Sequence, residues 1–553
     1  MKKFLIILTA ILLAGTLVVP AFADIEFKYG GLFRARFDDE TNIMDGTSTR
    51  FSTNYGSNDH QRFIDQRVRM FFEFDASQNL KCVVRFQMGD AVWGDDGDQG
   101  SGVGNTGSYR GANIGADAVS VTVRNAYIEF RIPGTPSKAI VGVQNLVLID
   151  SWIIDDEFPA AVLETRLTPS TKVTVSYIGA QHGWERAYIP SQELPLTDSR
   201  LDIDTFFASV DYTNGPWSGT LVGLVQDAHD TDVSINPASL GLRIRDYIGG
   251  GTFDSNGLID PSSFAFTNNL QPHSNDLFDL GLTVKYKSDW LSGYASFVQN
   301  LGGADLNVPG HTTSSFTNKS INYTGYMIDA GLTYYHGPFT ANVGGFYTSG
   351  PSISNNPVNN GGTFTGISSN NVNWFTYPLA TNKYFSEIVG GGILGDNYFV
   401  VRGYPGTVTA SNVGYYSGQS TVYWRGYGMP TNLYTVTVGG SWQIDPKTKL
   451  SGSYWYFGTA EAVPTQWNPH MFGGGGGYIM SSSIGSELDM YLDRNIMDRL
   501  TLTLVAAYLF ADDAFAPLPY AQSFNNLPAY SNGITKPLAD DSYQVGARLQ
   551  WVF

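Results

Sequence analysis

Charge is scarce in this chain: 15% of its 553 residues are Asp, Glu, Lys or Arg, where soluble domains average about 25%. Disordered chains are charge-rich and aromatic-poor, so disorder is excluded by that figure and by an aromatic content of 14%. A basic excess is also missing. Thirty-three basic against fifty acidic side chains leave a net charge of −17, which argues against a nucleic-acid partner. Cysteine is reduced to Cys82, which removes intrachain disulfides, Cys-rich metal sites and covalent haem attachment. The seven histidines are scattered, with no His-Glu-x-x-His pair and no Gly-x-Ser-x-Gly elbow, so no metal, cofactor or enzymatic nucleophile is implied. Asp95-Asp96-Gly97-Asp98 is not a calcium loop, because Gly107 stands where an EF-hand counted from Asp96 needs Glu. The glycine run 473–477 lacks the Gly-Lys-Ser/Thr of a phosphate loop.

Long apolar runs are confined to the start. Lys2 and Lys3 precede the apolar stretch Phe4 to Val19, which closes on Ala21-Phe22-Ala23. Positive flank, apolar centre and A-x-A site predict a secretory signal peptide, residues 1–23, cut after Ala23. Beyond it no stretch is long and apolar enough for a spanning helix. Residues 24–553 are then expected to form one domain in the periplasm, the cell exterior or the outer membrane.

What is present is glycine, 62 residues, and strand-period alternation. Tyr543, Val545, Ala547, Leu549, Trp551 and Phe553 share one parity, with Gln544, Gly546, Arg548 and Gln550 on the other. The same period recurs in pairs of apolar-alternating segments. They turn at Ala76 to Asn79, Pro133 to Ser137, Thr168-Pro169-Ser170, Asn214-Gly215-Pro216, Ser288-Asp289, Gly337-Pro338 and Asp445 to Thr448, all built from turn-forming residues. Between the pairs lie long polar links, roughly 39–61, 93–118, 229–275, 302–322, 350–431 and 512–540. Around Val119 to Ile132 the parity slips, as a bulge would make it. Link 350–431 holds Tyr398 to Gly403 and Thr421 to Gly426, candidates for a further hairpin.

Alternating short and long links predict an all-β fold: a transmembrane antiparallel β-barrel of about 18 strands, within 16–20, with short periplasmic turns and long extracellular loops. A lipid-facing parity also accounts for the missing charge. Trp217, Trp290, Trp442 and Trp551 stand near strand ends, where interfacial girdles form.

The signal peptide, the strand pairs and the final strand ending in Phe553 resemble bacterial outer-membrane porins. The opening strand Ile25 to Phe37 and the stretch Asp65 to Phe74 continue that resemblance, most closely to porins of sulfate- and metal-reducing bacteria. It implies a passive diffusion channel for small hydrophilic solutes and ions, not an enzyme, commonly a homotrimer set in outer-membrane lipid. It also implies that Tyr543, Leu549, Trp551 and Phe553 form the signal read by the barrel-assembly machinery. Similar bacteria build barrel sheaths around multihaem cytochromes, so a porin–cytochrome conduit is an alternative, as is a substrate-specific channel.

Parity assigns the lumen. Phe27, Tyr29, Phe33, Ala35 and Phe37 share the lipid face of the first strand, which turns Lys28, Arg34 and Arg36 inward. The same logic turns Arg67 and Arg69, then Lys81 and Arg85, inward, because charge on a lipid face costs about 2–4 kcal/mol at mid-membrane. The third long-side link is short and acidic, Asp150-Ser151-Trp152-Ile153-Ile154-Asp155-Asp156-Glu157-Phe158. By resemblance it folds inward, setting Asp150, Asp155, Asp156 and Glu157 opposite the basic strands. Glu487, Asp489 and Asp493 share one late parity, a further candidate acidic wall.

Overall fold

The computed structural model describes residues 25–42, 60–93, 121–181, 203–228, 271–307, 320–350, 371–372, 375–379, 381, 383–394, 430–468, 477–515 and 540–553. Twenty strands are found: β1 (Glu26–Thr41), β2 (Gln61–Ser77), β3 (Leu80–Val92), β4 (Val121–Arg131), β5 (Ser137–Leu148), β6 (Ile154–Thr168), β7 (Thr171–Gln181), β8 (Ile203–Asn214), β9 (Trp217–Ala228) and β10 (Gln271–Lys287). They continue as β11 (Leu291–Asn307), β12 (Ser320–Tyr323), β13 (Tyr326–His336), β14 (Phe339–Thr348), β15 (Asn371–Val372), β16 (Tyr434–Asp445), β17 (Thr448–Asn468), β18 (Gly477–Met497), β19 (Leu500–Ala511) and β20 (Ser542–Val552). The short β12 and β15 pair in parallel with each other at the end of β11. The other eighteen run antiparallel, each beside its neighbour, and form the wall of a closed barrel. No α-helix occurs among the described residues.

Closure is made by β1 against β20, in register from Leu32 with Val552 to Thr41 with Tyr543. A closed sheet leaves no edge, so every wall strand can satisfy its backbone inside a bilayer. The seam is finished by the last residue. The Gly31 amide donates to the Phe553 carbonyl at 2.9 Å, and the Phe553 amide returns a bond to the Gly31 carbonyl at 3.0 Å. Gly31 has to be glycine here, because a Cβ at that position would lie within 2.5 Å of the Phe553 ring. Tyr543, Leu549 and Trp551 share the outward parity of β20.

The wall is inside-out relative to a soluble protein. Outward positions are apolar and exposed, as with Val343 at 50% and Val438 at 58%, while inward neighbours such as Thr348, Thr435, Asp279 and Asn300 are polar and buried. Hydrophobic side chains left uncovered on this scale mark a lipid-facing surface. Trp217, Trp290, Trp442 and Trp551 are exposed at the short-turn end. Trp217 packs on Tyr286 at 4.8 Å and Trp442 on Phe339 at 6.0 Å between ring centroids.

Hairpins close at the turn residues that the sequence marks, including Gln78-Asn79, Gly215-Pro216 and Gly337-Pro338. The parity slip in β4 is a bulge. Asn125 opposes Arg85 and Val123 opposes Phe86, which leaves Arg124 as the extra residue. The signal segment 1–23, the Asp95 to Asp98 run and the Tyr398 to Gly403 and Thr421 to Gly426 segments lie outside the described residues.

Candidate functional site: the barrel lumen

Among the described residues, two pieces of the chain enter the lumen. The first is the tip of the β5–β6 hairpin. β4 accompanies β5 only to Val143, and β7 accompanies β6 only from Ala160. Beyond those points Gln144–Leu148 and Ile154–Phe158 pair only with each other. This two-stranded flap leaves the wall. Its connection is shorter than the acidic link read from sequence, because Asp155, Asp156 and Glu157 continue β6 opposite Val147, Leu146 and Asn145. The turn itself is apolar, with Ile149, Trp152, Ile153 and Ile154 all buried.

The tip crosses to inward positions of distant strands. Ile149 and Ile153 pack where Gly281 of β10 carries no side chain. The Trp152 ring meets Phe346 of β14 at 5.0 Å and Phe375 at 6.3 Å. Trp152 Nε1–H donates to Asp329 Oδ2 of β13 at 2.8 Å. Asp150 is ion-paired with Lys285 of β10, Ser151 Oγ donates to Asp155 at 2.6 Å, and Arg124 Nη2 holds Glu157 at 2.7 Å. Arg124 can reach the flap because the bulge frees it from the strand pairing.

The second piece is residues 375–379, 381 and 383–394, a plug drawn from the long link 350–431. Its start is tied to the wall through Asn300 of β11, which accepts from the Thr376 amide at 2.8 Å and donates to the Thr376 carbonyl at 2.9 Å. Gln226 of β9 donates to the Pro378 carbonyl at 2.7 Å. Its end is held by carboxylates. Glu487 of β18 accepts from the amides of Ile388 at 2.6 Å and Val389 at 3.0 Å, and from Ser386 Oγ at 3.1 Å. Glu387, from the plug, accepts from the amides of Leu394 at 2.5 Å and Ile393 at 2.9 Å, and from the Tyr491 hydroxyl at 3.0 Å. Burial and the neighbouring Glu487 charge push the Glu387 carboxyl above the usual range, against the pull of those three donors. Glu487, read from sequence as part of a free acidic wall, is therefore committed to the plug.

Flap and plug are joined. Lys383 Nζ donates to Asp329 Oδ2 and to the Asp150 carbonyl, each at 3.1 Å, and lies 4.8 Å over the Trp152 ring. Thr381 Oγ1 donates to the Ser151 carbonyl. Nothing in the sequence around Lys383 or Asp329 announces this node.

The seven basic residues assigned inward all lie on the inward parity of β1–β3, but they do not act alike. Arg36 is buried. It donates from Nη2 and Nε to Asp65 at 2.6 and 3.1 Å, and from Nη1 to the Leu394 carbonyl at 3.1 Å, so it anchors the plug. Arg69 Nε donates to Gln87 at 2.8 Å. Arg34 stands directly across from Arg67 in the β1–β2 register, and Arg85 is exposed opposite Phe71.

Lys28 and Lys81 belong to a feature that parity alone could not show. Near the short-turn end an alternating belt of charge runs across eight neighbouring strands. Lys28 donates to Asp75 at 2.5 Å and lies 3.5 Å from Glu73, and Lys81 lies 3.7 Å from both Glu73 and Glu129. Lys138 joins Glu129 at 3.4 Å and Glu164 at 2.9 Å, and Lys172 joins Glu164 at 3.7 Å and Asp211 at 3.2 Å. The belt ends where Thr220 of β9 donates to Asp211 at 2.7 Å. Further round, inward contacts pass between hydroxyls: Thr283 with Ser296 at 2.8 Å, and Thr340 with Ser441 at 2.7 Å. Among the described residues no group of His, Cys, Asp and Glu has the arrangement of a metal site.

No protein-family model matches the chain, and no curated protein does. Solved structures do. The chain is similar to the outer membrane protein opdK from Pseudomonas aeruginosa, at 9% identity over 96% of this chain and 98% of that one, with a TM-score of 0.43. It is also similar to OccK9 (OpdG) of the same organism, at 8% identity, 96% and 98% coverage and a TM-score of 0.45. A BenF-like porin from Pseudomonas fluorescens Pf-5 matches at 10% identity, 96% and 100% coverage and 0.42. At such identities the lumen has to be read from this chain's own side chains.

Proposed function

We propose that the chain is an outer-membrane channel through which small hydrophilic solutes and ions diffuse passively along a narrowed, charged lumen. One observation carries this reading: a closed wall with apolar outward positions and polar inward ones, its interior partly filled by the chain's own flap and plug. A wide general pore needs neither insert, so their presence supports a selective channel. It also gives the cytochrome sheath less support, because a haem partner would compete with the plug for the lumen. No catalytic role or cofactor is proposed, and the narrower likeness to porins of sulfate- and metal-reducing bacteria rests on the opening strands alone.

The flap and plug make contacts on β9–β11, β13, β14, β17 and β18, on β4 through Arg124 and, around Leu394, on β1 and β20. The remaining passage is assigned to the side bordered by β1–β4 and the flap. There the exposed Arg69 and Arg85 would face Asp155, Asp156 and Glu157, giving a transverse field across the constriction. Planar-bilayer recording of the purified barrel, with reversal potential in a salt gradient, tests the reading. Ohmic unitary conductance is expected, with selectivity altered by neutralising the three flap acids. A folded barrel that conducts no ions would refute the channel. Cleavage after Ala23, homotrimer assembly and recognition of Tyr543, Leu549, Trp551 and Phe553 by the assembly machinery complete the proposal. Intact and native masses of the membrane-extracted protein, with and without Phe553, check them.

A further inference from the structure

The belt at the short-turn end has no part in holding the flap or plug, yet it lines the passage with eight charges of alternating sign on consecutive strands. We propose that it is a subsite for small dipolar solutes that carry an ammonium and a carboxylate on one molecule, an assignment that rests on the channel reading above.

Three observations carry it. The belt is open: its side chains keep 22–48% of their surface exposed. It is also incompletely bonded at its second cation. Lys81 lies 3.7 Å from Glu73 and 3.7 Å from Glu129, beyond hydrogen-bond length on both sides. Its ammonium therefore keeps donors for a solute carboxylate, while Glu73 and Glu129 keep lone pairs for a solute ammonium. Finally, around Lys81 the belt's signs alternate from strand to strand, while Lys28 at its end is held by Asp75 at 2.5 Å. A simple anion drawn to Lys81 meets two flanking carboxylates, and a simple cation drawn to Glu129 meets Lys81 and Lys138. Only a dipole laid antiparallel to a Lys–Glu pair is attracted at both ends.

Charge alternates at each step along the sheet, about 4.8 Å apart, but Lys28, Lys138 and Lys172 are each within hydrogen-bond length of an acid, at 2.5, 2.9 and 3.2 Å, which leaves Lys81 as the open step. Partly exposed pairs bind weakly, which suits transit better than capture, because conduction requires that a site release what it binds. Lys81 is the specificity-determining residue in this scheme, and its neighbours set the orientation.

The test uses two isomers of equal mass, β-alanine as the dipolar solute and lactamide as the uncharged one, in swelling of liposomes containing the full-length barrel. Wild-type protein should admit β-alanine about threefold faster than lactamide, the scale of a single exposed ion pair. Lys81→Gln should bring the two rates together without slowing lactamide, and Lys81→Arg should keep the preference. Unchanged lactamide entry also shows that the variant barrel is folded and open. Equal rates in wild type, or a preference that survives Lys81→Gln, overturns the proposal and leaves the belt as a device for strand register. Entry of neither solute would instead remove the channel reading on which the proposal rests.

Discussion

Asp329→Asn tests whether the flap and the plug are held by a single node. Asp329 sits buried on the inward face of β13 and accepts three hydrogen bonds: from Trp152 Nε1 at 2.8 Å, Tyr294 Oη at 2.9 Å and Lys383 Nζ at 3.1 Å. The first comes from the flap, the second from the wall and the third from the plug. Trapping a buried charge without its partner costs about 3–5 kcal/mol, but Lys383 is 16% exposed and can turn toward solvent once released. The asparagine oxygen still accepts from one or two of the neutral donors. What is lost is the charge-assisted part, with hydrogen bonds to charged groups worth about 1.5–3 kcal/mol. A net loss of about 2 kcal/mol is expected, and at 1.4 kcal/mol per tenfold this shifts the docked–undocked equilibrium about thirtyfold. Single-channel recording reads that shift directly, as a larger fraction of time in a wider conductance state. Thermal unfolding of the wall should be little changed, because no wall pairing is touched. A variant with the wild-type conductance and dwell-time distribution would refute the idea that this node retains the two inserts.

Two further outcomes follow from other parts of the molecule. Because burial raises the Glu387 carboxyl above its ordinary range, the docked plug binds a proton more readily than the released one. Docking is therefore strongest below the ordinary glutamate value of about 4.3 and weakens as pH rises through the raised value. Glu487, Asp489 and Tyr491 of β18 and Arg36 of β1 face the same pocket, and their charges set how steep the change is. Channel opening should increase across that window in wild type and be flatter in Glu387→Gln; superimposable pH profiles would show that Glu387 does not govern docking. On the wall, Val438→Arg places charge on an outward position of β16 and should destabilise the barrel by about 2–4 kcal/mol, whereas Ser441→Arg, at a partly buried inward position of the same strand, should cost far less. Urea unfolding in lipid vesicles decides this, and equal losses would overturn the parity assignment.

The wall was legible because the bilayer imposes a period-2 rule on every strand. Phe27, Phe33 and Phe37 could only face lipid, which fixed Lys28, Arg34 and Arg36 on the other side before any partner was known. Turn chemistry at Asn214-Gly215 and Gly337-Pro338 is equally local. The inserts were not legible, because their positions depend on contacts remote in sequence. Ile388 meets Glu487 across 99 residues and Trp152 meets Asp329 across 177, with no local pattern tying either pair together. Asp155 and Glu157 looked like loop residues, since their strand pairing is supplied only by a hairpin that has left the wall. The belt fell between these cases: parity puts its cations on one shared face, where they read as a like-signed row, because register, not parity, brings Glu73 and Glu129 beside Lys81.

That register changes which net charges can set a field across the lumen. Residues 24–138 carry 13 basic and 16 acidic side chains and residues 139–553 carry 18 and 34, a split that suggests a basic wall against an acidic body. Lys28 and Lys81 drop out of such a wall because each is matched by an acid within 4 Å, and Arg36 drops out because Asp65 matches it. Charges on the outer rim act weakly at the constriction, since physiological salt screens beyond about 8 Å. At the hairpin tip the acids are themselves drawn to cations, Glu157 to Arg124 and Asp150 to Lys285. A balance of so few charges follows from where the β5–β6 hairpin leaves the wall, and the total of −17 has little part in it.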